Sequence, residues 1–496
     1  MSELGSLAAH AHGIRVVVIG GGVAGLVAAL EFGKLGMDVT LLEGSDRVGG
    51  AIRSAEVGGL QLDVGAEAFA TRGGHVKRLL CELGLADDMA TPEPLGAWVA
   101  GVPGVGAAPL PRGGVLGIPE NPWDPAVRRI IGWGGSWRAY LDRLRPPLTI
   151  GHEHSLGQLV RARMGDKVLD RLVAPVVAGV YSARPDEIDV DAAAPGLNAA
   201  LTRAGSLSGA VSQLRAGRTG APGSAVQGLE GGMTRLVDGL VVRLYDLGVT
   251  VRVDAPVAGL ERTGGHWRVH LESAADTDAA TAAGEQTPAP LDADVVVVAT
   301  NEPAARRLLS PVVPGLTPAA GTPPILEIVS LVLDAPELDR APRGTGVLTV
   351  PHSFAAKALT HTTAKWRWAA AAAGPGVHAL RVSFGTQDEA PVTAAMSDED
   401  AIALALEQAG AMLGVTLDPA RLRGGHRQHH EQSQPASVQG RAAAIAADRA
   451  AIRAVPGLAA VGSWLSGTGL AQVIPDAVAE TVAARRSALW DGSVGA

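Results

Sequence analysis

The chain has 496 residues, which is room for two to four structural units and a large buried core. Apolar residues make up 47% and charged residues 19%, with a formal net charge of -8, which excludes a disordered polymer and a globally basic nucleic-acid binder. The single cysteine, Cys81, excludes an internal disulfide framework, a cysteine-based zinc site and an iron–sulfur cluster.

Residues 1–13 are small and polar, lack the apolar stretch of a secretory signal, and read as a disordered lead-in. Arg15-Val-Val-Val-Ile19 is a β-branched run that predicts a buried parallel strand. Gly20-Gly21-Gly22-Val23-Ala24-Gly25 follows at once, and residues 26–35 then carry helical spacing that Gly36 ends. A second strand is predicted over 38–42, closed by Glu43, which completes a βαβ unit. In this setting Gly20 makes the tight turn, Gly22 lets backbone approach a pyrophosphate, and Gly25 allows close packing of helix on strand. The helix N-terminus offers unpaired N–H groups to phosphate, and the Glu43 carboxylate can accept from ribose hydroxyls. The pattern predicts dinucleotide binding.

Residues 91–147 are rich in Pro, Gly and Trp, with a helical pattern over 126–144 that mixes arginines with Trp133, Trp137 and Tyr140. Core packing inside a helical subdomain is the expectation there, and contact with membrane headgroups is the alternative. Residues 155–180 again read as helical, and the small-residue stretch 206–226 reads as a mobile loop. From Gly228 the α/β character returns. A helix is predicted over 233–247, a strand over 249–253, and a hairpin from 256–262 and 266–271 around Thr263-Gly-Gly265. The Ala/Thr/Asp/Pro insertion at 273–290 reads as disordered, and 294–300 as a buried strand. Further strands are predicted over 325–333, 346–350 and 458–462, an amphipathic helix over 398–413, and a closing helix from near Pro475. No window of about 20 uninterrupted apolar residues occurs, so no membrane-spanning helix is expected. Cys81 reads as a packed helix thiol, and His426, His429 and His430 as a polar strand or loop, with no metal site assigned.

The fingerprint continues as Glu43-Gly-Ser-Asp-Arg47-Val-Gly49-Gly50-Ala51-Ile-Arg53 and Asp63-Val-Gly65-Ala66-Glu67-Ala68-Phe69. An acid at the strand end, an arginine, a glycine pair and a second arginine together resemble the FAD signature of the flavin amine oxidase superfamily. Pro256-Val257 after a helix and strand, and Gly462-Ser-Trp-Leu-Ser-Gly467-Thr-Gly469 with Val473-Ile474-Pro475-Asp476, resemble its later FAD segments. Further markers are Leu110-Pro111, Leu116-Gly-Ile-Pro119, Pro175-Val-Val-Ala-Gly179-Val-Tyr181, Gly228-Leu-Glu-Gly-Gly-Met-Thr-Arg-Leu236, Lys365-Trp366 and Gln439-Gly-Arg441. In order and spacing they resemble the protoporphyrinogen/coproporphyrinogen oxidase family, over nearly the whole chain.

The resemblance implies an α/β protein with a discontinuous Rossmann-like FAD-binding domain, a mixed-sheet substrate domain and an inserted helical subdomain. The implied units are a lead-in at 1–13, FAD-binding parts at 14–95, 226–310 and 441–496, a substrate/helical subdomain at 96–225, and a substrate-binding domain at 311–440. It places FAD on the fingerprint residues Gly20, Gly21, Gly22, Val23, Ala24, Gly25, Glu43 and Arg47. It adds Gly50, Ala51, Gly65, Ala66, Glu67, Ala68, Val257, Trp366, Val473 and Ile474. Arg47 would offset pyrophosphate charge. Arg72 is implied for a substrate propionate, and Gly179 and Tyr181 for the loop facing the tetrapyrrole. Two departures stand out: Gly96-Ala97-Trp98-Val99 has no basic residue, and Ser383-Phe-Gly-Thr386 has Thr where the family pattern leads one to expect Arg.

The implied reaction is FAD-dependent oxidation of coproporphyrinogen III to coproporphyrin III, with oxygen as acceptor and hydrogen peroxide as product, in haem synthesis. No catalytic side chain is assigned, because an electron-rich porphyrinogen needs orientation more than a strong base. The alternatives are protoporphyrinogen IX as substrate, an amine oxidase or carotenoid desaturase, and a non-catalytic FAD-binding protein. A cytoplasmic protein is expected, with peripheral membrane contact and contact with other haem-synthesis enzymes left open.

Overall fold

The computed structural model describes residues 10–145, 154–216, 225–272, 289–319, 323–431 and 438–490. Five strands drawn from distant parts of the chain form one parallel sheet, in the order Thr250–Arg252, Asp38–Leu42, Arg15–Ile19, Val295–Val298 and Leu458–Ala460. A parallel sheet must be covered on both faces. Here helix Val23–Gly33, wholly buried, lies on one face with Thr234–Asp246 and Leu470–Trp490 packed beside it. The antiparallel strands Val257–Thr263, His266–Leu271 and Leu291–Ala293 cover the other face, around Trp267.

The second layer is a seven-stranded mixed sheet. Its order is Leu422–Glu431, Ile325–Asp334, Val377–Phe384, Ala358–His361, Gly346–Thr349, Ala97–Val102 and Gly106–Pro109. All its pairs are antiparallel except Gly346–Thr349 with Ala97–Val102. Helix Asp398–Leu413 closes one face over Val329, Leu331, Leu380, Val382 and Phe384. A separate helical unit, built on Ile130, Val160, Leu172, Val177 and Leu207, packs near the opposite face.

Several expectations are corrected. The segment 96–225 is divided, because strands Ala97–Val102 and Gly106–Pro109 belong to the large sheet while the helices after them form their own core. Part of the expected loop at 206–226 is helix Leu207–Ala216: Leu207, Ala210 and Val211 share one helical face and are buried. Residues 217–224 lie outside the described residues. The helix expected at 126–144 runs from Pro125 to Tyr140 with a kink at Gly132, where φ is 70°. The stretch 155–180 is broken at Gly165 into Leu156–Met164 and later helical turns. The closing helix begins at Leu470, with Pro475 inside its second turn.

Trp133 and Trp137 lie on the surface, 63% and 56% exposed, and not in the helical core. The indole of Trp133 is covered by Arg128, 4.3 Å from the ring centroid, and Trp137 meets Trp123 edge-on. Cys81 is exposed, on the outer side of helix His75–Glu82. Ala11 is buried, so the end of the expected lead-in packs on the core; residues 1–9 lie outside the described residues, as do 273–288 of the expected insertion. Among the described residues no helix is long and apolar enough to cross a membrane.

Candidate functional site

The first glycine loop is shaped by backbone contacts that admit no side chain. The Gly20 amide donates to the Leu42 carbonyl at 2.7 Å, and Gly20 has φ of 108°. A Cβ on Gly25 would lie 1.9 Å from the Gly20 carbonyl oxygen. Gly49 donates to the Gly21 carbonyl at 2.8 Å, which lays the second glycine pair against the first. A Cβ on Gly65 would lie 2.1 Å from the Ala51 carbonyl oxygen, and Ala66 donates to that same carbonyl. Gly22 is different. A Cβ there would meet only the Gly50 Cα, at 4.0 Å, so this glycine faces open space.

That space is a cleft of about 760 Å³, within the roughly 300–1,000 Å³ of small-molecule sites. Of the predicted cofactor residues, Gly20, Gly22, Val23, Ala24, Glu43, Gly50, Ala51, Ala66, Ala68, Val257 and Val473 line it. Gly21, Gly25 and Gly65 sit behind the lining and fix its shape. Glu43 Oε2 accepts from the Gly21 amide at 2.6 Å, and Oε1 accepts from the Ser45 amide and hydroxyl. The bare glycine backbone, the helix beginning at Val23 and the strand-end carboxylate fit a dinucleotide such as FAD.

Four predicted cofactor residues lie elsewhere. Arg47 points to solvent, 54% exposed and 3.9 Å from Asp46; Arg53 lines the cleft in its place, donating to the Gly50 carbonyl. Ile474 is buried in the core of the parallel-sheet layer. Trp366 is buried against Ala90, Ala369 and the inner side of Ala68. Glu67 turns away from the cleft between Ala66 and Ala68. It pairs with Lys365 and, at 2.6 Å, with Arg381, while Arg381 also donates to the Gly65 carbonyl. Burial would raise the Glu67 pKa, but Lys365 and Arg381 hold it down to about 2. Asp63 is pushed up to about 6 by burial, although its carboxylate accepts from the Met233 amide.

Residues from helix Glu302–Leu309 and from one further strand line the cleft without having been assigned to it. Arg307 reaches the Val257 carbonyl. Gln428, His429, His430 and Glu431, at the end of strand Leu422–Glu431, form the wall toward the large sheet. His430 Nε2 bonds the Val64 carbonyl at 3.1 Å, and burial lowers the His430 pKa. The histidine-rich segment is thus a strand, and among the described residues no group of His, Cys, Asp and Glu could hold a metal.

Gln428 is also the first residue of a row across the large sheet. It pairs with Ile328, Ile328 with Ser383, Ser383 with Ala358, and Ala358 with Leu348. Paired residues share a face, so these five side chains form one line. All five are half-exposed, whereas Val329, Val382, Leu359 and Val347 on the opposite face are buried. Four inter-strand steps of about 4.8 Å make the line roughly 19 Å long. At its far end Leu348 meets Gly179: a Cβ there would lie 2.7 Å from Leu348 Cδ2. Tyr181 ends the same helix; burial raises its pKa, and the nearby Arg72 charge acts against the rise. Of the predicted substrate residues, Gly179 thus touches the end of this floor away from the cleft, and Tyr181 ends its helix within electrostatic reach of Arg72.

The profile of the flavin containing amine oxidoreductase family matches residues 23–485. The chain is 32% identical over 465 residues to a coproporphyrinogen III oxidase of Mycobacterium tuberculosis, covering 91% of this chain and 93% of the relative. It is 27% identical over 496 residues to that of Bacillus subtilis, covering 96% and 98%. A crystal structure of an Exiguobacterium protein superposes with a TM-score of 0.79 at 24% identity, over 96% of this chain and 99% of the other. At that identity the structural likeness is one of fold.

Proposed function

The chain belongs to the flavin containing amine oxidoreductases and, among them, to the coproporphyrinogen III oxidase family, and from that premise we propose that it oxidises coproporphyrinogen III to coproporphyrin III. The glycine loops and Glu43 would hold FAD, whose chemistry would be to take up two electrons and a hydride's proton from the substrate in each of three rounds and to be reoxidised by oxygen, with hydrogen peroxide as product. The protein's part is to hold the macrocycle and keep water away.

One observation carries this reading. Gln428, which lines the cofactor cleft, begins a row of partly exposed side chains long enough for a tetrapyrrole. Ile328, Ala358 and Leu348 give it an apolar surface for a flat ring, and Gly179 leaves the facing helix without a side chain there. An amine oxidase needs aromatic rings about the flavin. Among the described residues no Phe, Tyr or Trp lines the cleft, and Trp464 and Trp366 are buried away from it.

The reading is tested by steady-state turnover of the purified flavoprotein in air. Coproporphyrinogen III is expected to yield fluorescent coproporphyrin above the autoxidation rate, with three molecules of oxygen consumed per macrocycle. Turnover of primary amines with none of coproporphyrinogen would overturn it.

A further inference from the structure

We propose that Lys357 is a substrate anchor, its ammonium taking a carboxylate of the tetrapyrrole at the end of the floor away from the cofactor cleft. The proposal rests on the porphyrinogen reading and deepens it by naming a side chain that meets the substrate's acid groups.

Lys357 immediately precedes Ala358 of the floor. Its amide donates to the Ser383 carbonyl and its carbonyl accepts from the Thr349 amide, so its backbone is fixed by both neighbouring strands. The side chain leaves the sheet toward the helical unit, where Nζ donates to Ser182 Oγ at 2.7 Å. Ser182 follows Tyr181 and has a positive φ of 54°, and its carbonyl accepts from the Gln387 amide. The ammonium therefore sits where helix Ala174–Tyr181 meets the large sheet, one residue beyond Tyr181, on which the Arg72 charge acts.

What this lysine lacks is an anion. Among the described residues no carboxylate lies within ion-pair distance of it, and a neutral hydroxyl is the partner it has. The other lysine partly withdrawn from water, Lys365, is paired with Glu67. A buried cation without a counter-charge is costly, and burial lowers the Lys357 pKa to about 7. An arriving carboxylate would supply the missing charge and hold the proton on the amine. Arg72, exposed and without an ion pair among the described residues, lies close enough for its charge to act on Tyr181, so two cations lie about this turn. Their ligand is an acid group carried at the edge of a flat apolar body. A propionate on a tetrapyrrole has that chemistry.

The test is binding of coproporphyrin III and of its uncharged tetramethyl ester to the FAD-loaded protein, followed by fluorescence at neutral pH. Lys357→Met is expected to weaken the free acid about 10- to 100-fold, the worth of one charge-assisted contact, and to leave the ester unaffected. Lys357→Arg is expected to restore most of the loss, and flavin content and Tm to stay at wild-type values in both variants. In turnover, Lys357→Met raises KM and leaves kcat within about twofold. Equal weakening of acid and ester, or no weakening of either, would overturn the proposal, as would wild-type protein that binds neither compound. If wild-type protein binds the acid but does not oxidise coproporphyrinogen, the enzymatic reading fails while the titration still decides the role of Lys357.

Discussion

The Glu67 carboxylate binds the Arg381 guanidinium at 2.6 Å and so ties the cofactor cleft to the large sheet. Glu67 belongs to the segment that places Ala66 and Ala68 in the cleft, and Arg381 to the strand that carries Ser383. Lys365 completes the group from a third element. Glu67→Gln leaves two buried cations facing one neutral amide. We expect a stability loss of about 3–5 kcal/mol, as for a buried ion pair stripped of one partner, with reduced FAD retention. Denaturant unfolding and the ratio of flavin to protein absorbance check this. Unchanged stability would mean that the charges are not coupled.

A second buried group sets a pH response. His361 is fully buried, with Nε2 on His378 Nδ1 at 3.0 Å, and His378 in turn bonds Asp339 and Thr363. Burial, with the His378 charge adding to it, lowers the His361 pKa to about 3. An unfolded histidine takes its proton near pH 6.5. The unfolded state therefore binds more protons between pH 6.5 and 3, and this group's contribution, complete above pH 6.5, is lost as the pH falls through that window. Between pH 8 and pH 5 the cost to wild type is about 2 kcal/mol. His361→Leu is expected to escape it, so its stability relative to wild type improves by that amount at pH 5. A difference between the two proteins that does not change with pH would contradict the argument.

Two glycine substitutions separate the cleft from the floor. Gly25→Ala drives a methyl into the Gly20 backbone carbonyl, which cannot yield, and is expected to abolish flavin retention. Gly179→Ala meets the tip of Leu348, which can turn at a cost of about 0.5–1.5 kcal/mol. FAD content should survive, with kcat/KM for coproporphyrinogen reduced by up to about tenfold. Loss of flavin in Gly179→Ala would show that the helix end supports the cofactor and not the substrate.

The nucleotide half of the fold was legible because local signals agreed. The β-branched run at Arg15–Ile19, the glycines after it and Glu43 each point to one βαβ unit. Helix Asp398–Leu413 was readable to the residue, with Ser397 capping its start and Gly414 in the left-handed region at its end. Pro475 misled because a proline often marks a first turn, yet here it lies inside a helix that begins at Leu470. Trp366 was assigned to the cofactor because sequence does not reveal that an indole packs behind Ala68 and not in front of it. Gln428 and Lys357 were missed for a different reason. Each gains its meaning from partners far along the chain, Ile328 for the first and Ser182 for the second, and no local pattern encodes those pairings.

A porphyrinogen lying on the floor between Gln428 and Leu348 would give its electrons directly to a flavin in the cleft. Anaerobic mixing of the FAD-loaded protein with coproporphyrinogen III, followed by flavin absorbance, tests it most directly. The account predicts rapid bleaching of the oxidised flavin, with the oxidised spectrum and coproporphyrin fluorescence appearing once oxygen is admitted. A flavin that stays oxidised with both coproporphyrinogen and protoporphyrinogen would contradict it.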